Sequence, residues 1–348
     1  MSFTVTVQSG LHAFTVEPGT SLLDAAMEAG VVLPYSCRSG ACSTCKGKVV
    51  SGSYDTSDSP ARILSADELA AGYTLFCQAK PTSDLVIEAR EVHMAGDIQI
   101  RKRPVRVVSV KKLTHDIAVL QVQLPPAEPF RYCAGQYIEF ILKDGRRRSY
   151  SMANPPRDSN LVDLHVRHMP GGAFTDHVFG EGETPMKPRE VLRIEGPFGS
   201  FFLREESRKP IVFLASGTGF APIKAIIEHM MERGDSRKVV LYWGGRRPED
   251  LYMLDSARGW AQQWEGFTYV PVVSETRAGD GWTGRAGFVH QAVLDDFADL
   301  SGYQVYACGA PVMVESARRD FVVQAGLPEE EFFADAFTSA ADMDQVAG

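Results

Sequence analysis

The chain of 348 residues lacks the long apolar segments that membrane proteins require. No apolar run approaches the ~18 residues of a membrane-spanning helix, so we expect no membrane span. Residues 1–7 contain no basic segment followed by an apolar core, so we expect no secretory signal peptide. These two absences together predict a cytoplasmic protein.

Cysteine is also scarce, and the six present are too few for a disulfide scaffold at this length. Their distribution is uneven. Four lie in the first quarter of the chain and two stand alone, namely Cys37, Cys42, Cys45 and Cys77, then Cys133 and Cys308. This asymmetry is the first functional indication.

No overall basic excess is present, since the net charge is −8. Residues 1–95 carry a net −4, residues 101–150 a net +7 and residues 151–348 a net −10. A short basic segment within an acidic chain favours a local anion site over a nucleic-acid surface. We therefore expect a small ligand there and no nucleic-acid partner.

The length and the hydrophobic patterns predict three domains, at ~100–200 residues for each. Residues 1–95 combine a hairpin, a helix capped by Thr20 or Ser21, and short strands, with a linker over residues 93–104. Residues 101–205 contain many short strands and no long helix, which predicts an antiparallel barrel. Residues 209–340 alternate buried strands with helices, which predicts a doubly wound parallel sheet.

The spacing of the first four cysteines is C-x4-C-x2-C followed by a distant cysteine. This is the spacing of a plant-type [2Fe–2S] cluster, with Cys37, Cys42, Cys45 and Cys77 as thiolate ligands. The small residues between the first three allow the backbone N–H groups to approach the anionic sulfurs. The alternative is a zinc site, which normally uses two paired Cys-x2-Cys knuckles rather than one.

A second motif is Arg148-Ser149-Tyr150-Ser151, within the basic segment. An arginine two residues before a tyrosine on a strand can place a cation on a phosphate while the ring lies against a flat cofactor. The alternative is an exposed strand with a solvated arginine.

Further candidate cofactor-binding residues follow this strand. Glycines and a hydroxyl open a turn whose N–H groups can bind a pyrophosphate. The candidates in this region are His165, Val166 and Arg167, then Gly172, Ala173, Phe174 and Thr175.

A third motif, Ser216-Gly217-Thr218-Gly219, lies between a buried strand and an amphipathic helix. Its glycines allow a diphosphate to approach the helix N-terminus, although an ordinary tight turn is the alternative. Cys308 and Gly309 end a later strand, and ligands gather at the carboxyl ends of such strands.

With these motifs in this order, the chain resembles the bacterial iron–sulfur flavoprotein reductases. In that family a plant-type ferredoxin domain of the β-grasp fold precedes an FAD-binding barrel and an NAD(P)-binding sheet, as in ferredoxin–NADP⁺ reductase. The resemblance extends from Val5 to Phe337. The runs at 134–138, 164–167, 194–197 and 287–294 are similar in particular to the CDP-6-deoxy-3,4-glucoseen reductase branch. Reductases of aromatic dioxygenases and of phenol or toluene monooxygenases share the same plan.

The resemblance implies a role for each candidate. Arg148 would hold the FAD phosphate, Tyr150 would pack on the isoalloxazine and Ser151 would lie near flavin N5. Residues 172–175 would bind the FAD pyrophosphate, and residues 217–219 the nicotinamide dinucleotide. Two further residues, Cys308 and Phe337, would lie beside the nicotinamide and shield the flavin, respectively. Many relatives end soon after this aromatic residue, whereas residues 338–348 continue here, and we expect an unstructured extension.

The implied function is electron transfer from NAD(P)H through FAD and the [2Fe–2S] cluster to a separate dehydrase or oxygenase. NADH is favoured by the resemblance, although Arg246 and Arg247 could favour NADPH by binding a 2′-phosphate. Two alternatives are a non-catalytic iron–sulfur sensor and a self-sufficient reductase of a quinone or free flavin. Cys133 is predicted to be a core residue.

Overall fold

The structure is a computed structural model that describes residues 2–8, 12–56, 63–90, 93–94, 98–126, 129–182, 184–277 and 279–338. It divides into two compact units, one of Met1–Asp97 with Ala334–Gly348 and one of Ile98–Phe333. None of the helices formed by these described residues is long and apolar enough to cross a membrane. The predicted extension at residues 339–348 lies outside the described residues.

The first unit contains a mixed sheet and two short helices. Its elements are β1 Phe3–Val7, β2 Ala13–Val16, α1 Leu22–Glu28, β3 Val31–Val32, β4 Lys46–Ser51, β5 Tyr54–Asp55, α2 Ala66–Ala70, β6 Tyr73–Leu75, β7 Lys80–Pro81, β8 Leu85–Glu88 and β9 His93–Met94. The main sheet has the order β2-β1-β8-β4-β6, and β1 pairs parallel with β8. A helix crossing such a sheet is the predicted β-grasp arrangement.

The first helix forms where the sequence predicts it. The Ser21 side chain accepts a hydrogen bond from the Asp24 backbone N–H, which satisfies one of the free donors at the start of α1. Leu22 and Leu23 are fully buried, so the helix packs on the sheet through its apolar face.

The first part of the second unit is an antiparallel barrel. Its elements are β10 Arg101–Lys112, β11 Ile117–Gln123, β12 Tyr137–Ile141, β13 Arg147–Ser151, β14 Leu161–Arg167, α3 Ala173–Phe179 and β15 Val191–Phe198. The strand order is β13-β12-β15-β10-β11-β14. A bridge between Met152, just after β13, and Leu164 on β14 joins the two outer strands and closes the barrel. The predicted architecture of this region is confirmed.

The prediction of a linker over residues 93–104 is wrong at both ends of that range. His93–Met94 forms a strand with Val31–Val32, and Arg101–Pro104 is the beginning of β10. Residues 101–105 pair with β15, whereas the register with β11 begins only at Arg106. Proline and charged side chains are tolerated there because this half of the strand lies at an edge.

The remaining part of the chain alternates strands and helices, and the last three residues of its final strand, 334–336, are counted with the first unit. Its elements are β16 Ile211–Ser216, α4 Phe220–Glu232, β17 Val239–Gly245, α5 Leu254–Gln263, β18 Phe267–Val273, β19 Arg285–Ala286, α6 Val289–Asp296, β20 Gln304–Gly309, α7 Pro311–Ala325 and β21 Phe332–Ala336. The sheet order is β19-β18-β17-β16-β20-β21, and β16 to β20 run parallel.

The strand order of this sheet reverses between β16 and β20. The chain moves outward in one direction from β16 through β19 and then returns to the other side of β16. Ligands of doubly wound sheets bind at this switch point, at the carboxyl ends of the strands. The predicted fold class is confirmed in all three parts. The domain bounds 1–95, 101–205 and 209–340 stay predictions.

Candidate functional site

The cysteine loop lies between β3 and β4 and has an unusual backbone. Arg38 has φ +57° and Gly40 has φ +79°, both in the left-handed region. These conformations turn successive N–H groups toward one side of the loop. The Ser39 backbone N–H donates to Cys37 Sγ at 3.5 Å, as expected for a loop that surrounds anionic sulfur.

The four predicted ligands come together as two pairs of thiols. Cys45 Sγ lies 3.3 Å from Cys77 Sγ, and Cys37 forms a hydrogen bond with Cys42. The hydrogen bond from Cys42 lowers the pKa of Cys37 to about 5, and the hydrogen bond from Cys45 lowers the pKa of Cys77. The same two bonds, followed by burial, raise the pKa of Cys42 and of Cys45.

This paired arrangement fits two irons, each held by two thiolates. In the described part of the chain, no three His, Cys, Asp or Glu side chains are arranged to hold a single metal ion. Backbone N–H groups of Gly40 and Ala41 also stabilise the thiolates of Cys77 and Cys37, respectively. The paired thiols and their backbone N–H donors therefore fit the predicted [2Fe–2S] cluster.

One buried hydrogen bond beside this loop was not predicted. The hydroxyl of Ser36, next to Cys37, donates to Asp335 Oδ1 at 2.5 Å, and both residues are buried. Phe337 is half-buried and follows Asp335 by two residues. Its role at the flavin stays a prediction.

The basic segment contains three consecutive arginines with different partners. Arg146 pairs with Asp144 at 2.6 Å, and Arg147 pairs with Glu139 at 2.7 Å. Arg148 lies on β13 and is half-buried, and its Nη1 donates to the Arg147 carbonyl at 2.7 Å. It contacts no carboxylate among the described residues, so its charge is available for an anion.

Tyr150 and Ser151 follow on the same strand. The Tyr150 ring packs on Phe174 at 5.2 Å and on Phe140 at 5.9 Å, and burial raises the pKa of Tyr150. Ser151 is 5% exposed, and its Oγ is buried without a hydrogen-bond partner in the described residues. Since a buried hydroxyl without a partner is costly, this atom indicates a ligand that completes its hydrogen bonding.

The turn before α3 is built around a close approach. A Cβ on Gly172 would lie 2.6 Å from Thr175 Oγ1 and 2.8 Å from the Met169 carbonyl oxygen. Thr175 Oγ1 donates within the turn, 2.8 Å from Met169 O, and its side chain therefore shapes the turn. The helix leaves the N–H groups of its first turn, including those of Ala173 and Phe174, without intrahelical acceptors.

The run His165, Val166 and Arg167 lies on β14 and makes three different contacts. His165 Nδ1 lies 2.8 Å from the Tyr252 hydroxyl, and burial, assisted by the charge of Lys224, lowers the pKa of His165 to about 3. The Val166 side chain belongs to the barrel core. Arg167 Nε donates to Asp116 at 2.9 Å.

The Gly217–Gly219 turn and the end of β20 meet at the switch point. A Cβ on Gly219 would lie 2.2 Å from the Cys308 carbonyl oxygen, and one on Gly309 would lie 2.2 Å from Ser216 Oγ. Thr218 is half-buried and Cys308 is fully buried. The structure therefore brings these predicted residues together and leaves no room for larger side chains.

Two arginines after β17 were predicted to influence the choice of dinucleotide. The Asp250 carboxylate accepts hydrogen bonds from the backbone N–H groups of Arg246 and Arg247, at 2.8 and 3.0 Å. The Arg247 guanidinium lies 4.0 Å from Glu275, whereas the exposed Arg246 side chain pairs with no carboxylate in the described ranges.

Sequence reasoning missed several aromatic and charged residues that support this site. Phe220 stacks on Trp243 at 3.8 Å, and Trp243 Nε1 donates to the Gly217 carbonyl at 3.2 Å. Lys224 Nζ donates to the Ala153 carbonyl at 2.8 Å. No short motif marks these residues. Only the position of Phe220 and Lys224 at the start of the helix after the glycine turn could have indicated them.

Comparison with known families gives three consecutive matches. Residues 5–82 match the 2Fe-2S iron-sulfur cluster binding domain, and residues 104–203 match the oxidoreductase FAD-binding domain. Residues 213–319 match the oxidoreductase NAD-binding domain. These matches bear out the three predicted cofactors, [2Fe–2S], FAD and a nicotinamide dinucleotide.

Whole-chain relatives share the same plan. The CDP-6-deoxy-L-threo-D-glycero-4-hexulose-3-dehydrase reductase of Yersinia pestis is 41% identical, over 97% of this chain and 99% of its own. Reductase component 2 of terephthalate 1,2-dioxygenase from Comamonas sp is 36% identical, over 94% and 95%. The crystal structure of the Amycolatopsis cytochrome P450 reductase GcoB superposes with a TM-score of 0.77 at 34% identity, over 97% and 99%.

Proposed function

The chain belongs to the family of NAD(P)H-dependent iron–sulfur flavoprotein reductases, and we propose that it delivers electrons to a separate dehydrase that acts on a nucleotide-linked deoxysugar. The family and the electron-transfer activity follow from the whole-chain relatives and the three domain matches. The partner is the proposed part.

The bound cofactors would supply hydride transfer, the division of an electron pair and single-electron transfer. The chain itself binds and orients these groups. Arg148 offers an unpaired cation to a phosphate, and Ser151 offers its buried hydroxyl to the flavin ring. The Gly217–Gly219 turn admits the diphosphate of the dinucleotide. Four thiolates would hold the irons, those of Cys37, Cys42, Cys45 and Cys77.

One observation supports the electron-transfer activity: the two thiol pairs occur in the same chain as the buried hydroxyl of Ser151, which has no partner in the described residues. A one-electron carrier therefore accompanies a site fitted to a two-electron carrier. This combination is needed only if the electrons leave one at a time. It does not support the non-catalytic sensor, because that function needs no flavin or dinucleotide site.

A sugar dehydrase is the favoured partner because the Yersinia pestis relative, at 41% identity, is named for one. The second candidate is the reductase component of an oxygenase. It is favoured by the Comamonas relative at 36% identity and by the structural likeness to the Amycolatopsis protein.

The partner is tested by reconstitution with purified protein and NADH. We expect turnover of a nucleotide-linked 4-keto-6-deoxysugar when a dehydrase of that class is added. We expect none when a dioxygenase with its aromatic substrate is added instead. Turnover with the dioxygenase alone supports the second candidate, and rapid reduction of a quinone without any partner supports a self-sufficient reductase.

We also propose NADH as the preferred donor, because the Arg247 guanidinium already lies 4.0 Å from the Glu275 carboxylate. A comparison of kcat/KM for NADH and NADPH tests this preference.

A cytoplasmic location is proposed as well, since all six cysteines are free, as in a reducing compartment. Cell fractionation tests the location.

A further inference from the structure

The side chain of Tyr252 connects the two architectures of the second unit. Tyr252 follows the turn Pro248–Asp250, after strand β17 of the parallel sheet. Its hydroxyl lies 2.8 Å from Nδ1 of His165, which belongs to strand β14 of the barrel. The two rings meet edge to face, with centroids 5.3 Å apart. No motif in the sequence indicates Tyr252.

The charge state of both partners in this hydrogen bond follows from their environment. Burial lowers the pKa of His165 to about 3 and raises that of Tyr252, so both side chains are uncharged near neutral pH. In a neutral imidazole one ring nitrogen accepts and the other carries the hydrogen. The 2.8 Å contact is therefore a hydrogen bond between two neutral side chains, and the tautomer of His165 decides which of them donates.

The ring of Tyr252 continues this connection into the dinucleotide turn. It packs edge-on against Trp243 at 5.2 Å and against Phe220 at 6.1 Å. Trp243 in turn donates its indole N–H to the carbonyl of Gly217. A continuous series of contacts therefore leads from β14 to the Gly217–Gly219 turn.

We propose that Tyr252 is a positioning residue for hydride transfer, which holds the dinucleotide turn at a fixed distance from the flavin side of the barrel through its hydrogen bond to His165. The inference rests on the proposed function, since it assigns the two cofactors to these two places. Hydride transfer depends steeply on the approach of the reacting atoms, and a misplacement of ~1 Å can cost about 100-fold in rate. A single hydrogen bond between the barrel and the parallel-sheet part can therefore affect the rate of hydride transfer more than the affinity for the dinucleotide.

The test is anaerobic stopped-flow reduction of the bound flavin at increasing NADH concentration. We expect Tyr252→Phe, which keeps the ring, to lower the limiting rate at least about fivefold, which corresponds to roughly 1 kcal/mol. The apparent Kd for NADH should change less than about twofold, because the residues that contact the dinucleotide are unchanged. FAD content and Tm are measured alongside.

The matched control is Tyr242→Phe, which removes a hydroxyl that bonds Asp296 at 2.6 Å elsewhere in the same sheet. Its limiting rate should equal that of the wild-type protein. A general effect of losing a tyrosine hydroxyl would instead slow both variants equally, and that result would overturn the proposal.

A double-mutant cycle with His165→Leu tests whether Tyr252 acts through His165. The double variant should be no slower than the slower single variant, because both changes remove the same bond. Multiplied effects, or a wild-type limiting rate in Tyr252→Phe, contradict the proposal. If Tyr252→Phe does not fold, a wild-type rate in His165→Leu alone contradicts it equally. Failure of the wild-type protein to oxidise NADH would instead overturn the proposed function.

Discussion

Gly219 packs directly on the backbone of Cys308. A Cβ on Gly219 would lie 2.2 Å from the Cys308 carbonyl oxygen, 2.4 Å from its carbonyl carbon and 2.7 Å from the Cα of Gly309. The ends of β16 and β20 therefore pack closely at the switch point, where the Ala310 backbone N–H also donates to Ser216 Oγ at 3.0 Å. A bound dinucleotide would meet the backbone N–H groups of this glycine turn.

Replacement of Gly219 by alanine should disrupt this junction. The new methyl group meets backbone atoms that cannot move aside, and such overpacking costs about 1–3 kcal/mol. Because the turn itself must shift, we expect kcat/KM for NADH to fall at least about tenfold, the equivalent of ~1.4 kcal/mol. Steady-state kinetics and Tm measure the two effects. Gly302→Ala is the control, since a Cβ there has no atom within 4 Å and should change neither quantity.

Replacement of Ser151 by alanine should separate stability from activity. The hydroxyl has no partner in the described residues, so its removal should leave the Tm of the flavin-free protein unchanged or slightly higher. Flavin reduction by NADH should slow by roughly 10- to 100-fold if the hydroxyl bonds the flavin, since such a bond is worth about 1–3 kcal/mol. An unchanged reduction rate contradicts the role assigned to Ser151. The control is Ser149→Ala, two residues earlier on the same strand.

Loss of one thiol should remove the cluster without affecting the flavin. Cys42→Ser removes a thiol from one pair, and Cys45→Ser removes a thiol from the other. In either variant the iron and labile sulfide content should fall to background. Reduction of the flavin by NADH should persist, because the flavin site lies in the other compact unit. Electron transfer to cytochrome c should be lost. Cys133→Ser, outside both pairs, should keep its full iron content.

His165 should make folding stability depend on pH. Its pKa is about 3 in the folded protein because the ring is buried, whereas an unfolded histidine titrates near ~6.5. Unfolding therefore takes up a proton below that pH, and stability falls as the pH falls. Between about pH 7.5 and about pH 5.5, the wild-type protein should lose ~1.4 kcal/mol more than His165→Leu. Denaturant unfolding at both pH values measures this difference, and equal losses contradict it.

Local patterns predict most of the fold of this protein. The apolar strand β16 and the helix α4 appear where the sequence predicts them, because their periodicities are strong. Closure of the barrel through Met152 and Leu164 and the reversal of strand order beside β16 are long-range pairings, which one sequence does not specify. The linker over residues 93–104 was predicted wrongly for a related reason. Charge and proline indicate exposure, but an edge strand is also exposed.

The residues of the candidate site were likewise only partly predictable from the sequence. Glycines and cysteines reveal their positions because few other residues can replace them, so the cluster ligands and the Gly217–Gly219 turn were found. Tyr252 and Trp243 are ordinary aromatic residues in sequence, and only their contacts with His165 and Gly217, respectively, reveal a role. Arg147 pairs with two carboxylates, whereas Arg148 donates to a backbone carbonyl. The sequence does not show this difference, because it depends on which carboxylates lie nearby in the fold.

Electrons should pass from NADH through the flavin to the cluster and leave one at a time. The most direct measurement mixes the cofactor-replete protein with NADH anaerobically and follows the absorbance by stopped flow. A parallel sample, frozen after mixing, is examined by electron paramagnetic resonance. Flavin absorbance should bleach first and the signal of a reduced [2Fe–2S] cluster should follow, whereas Cys45→Ser should show only the first phase. Flavin bleaching with no cluster signal in the wild-type protein would contradict this path of electron transfer.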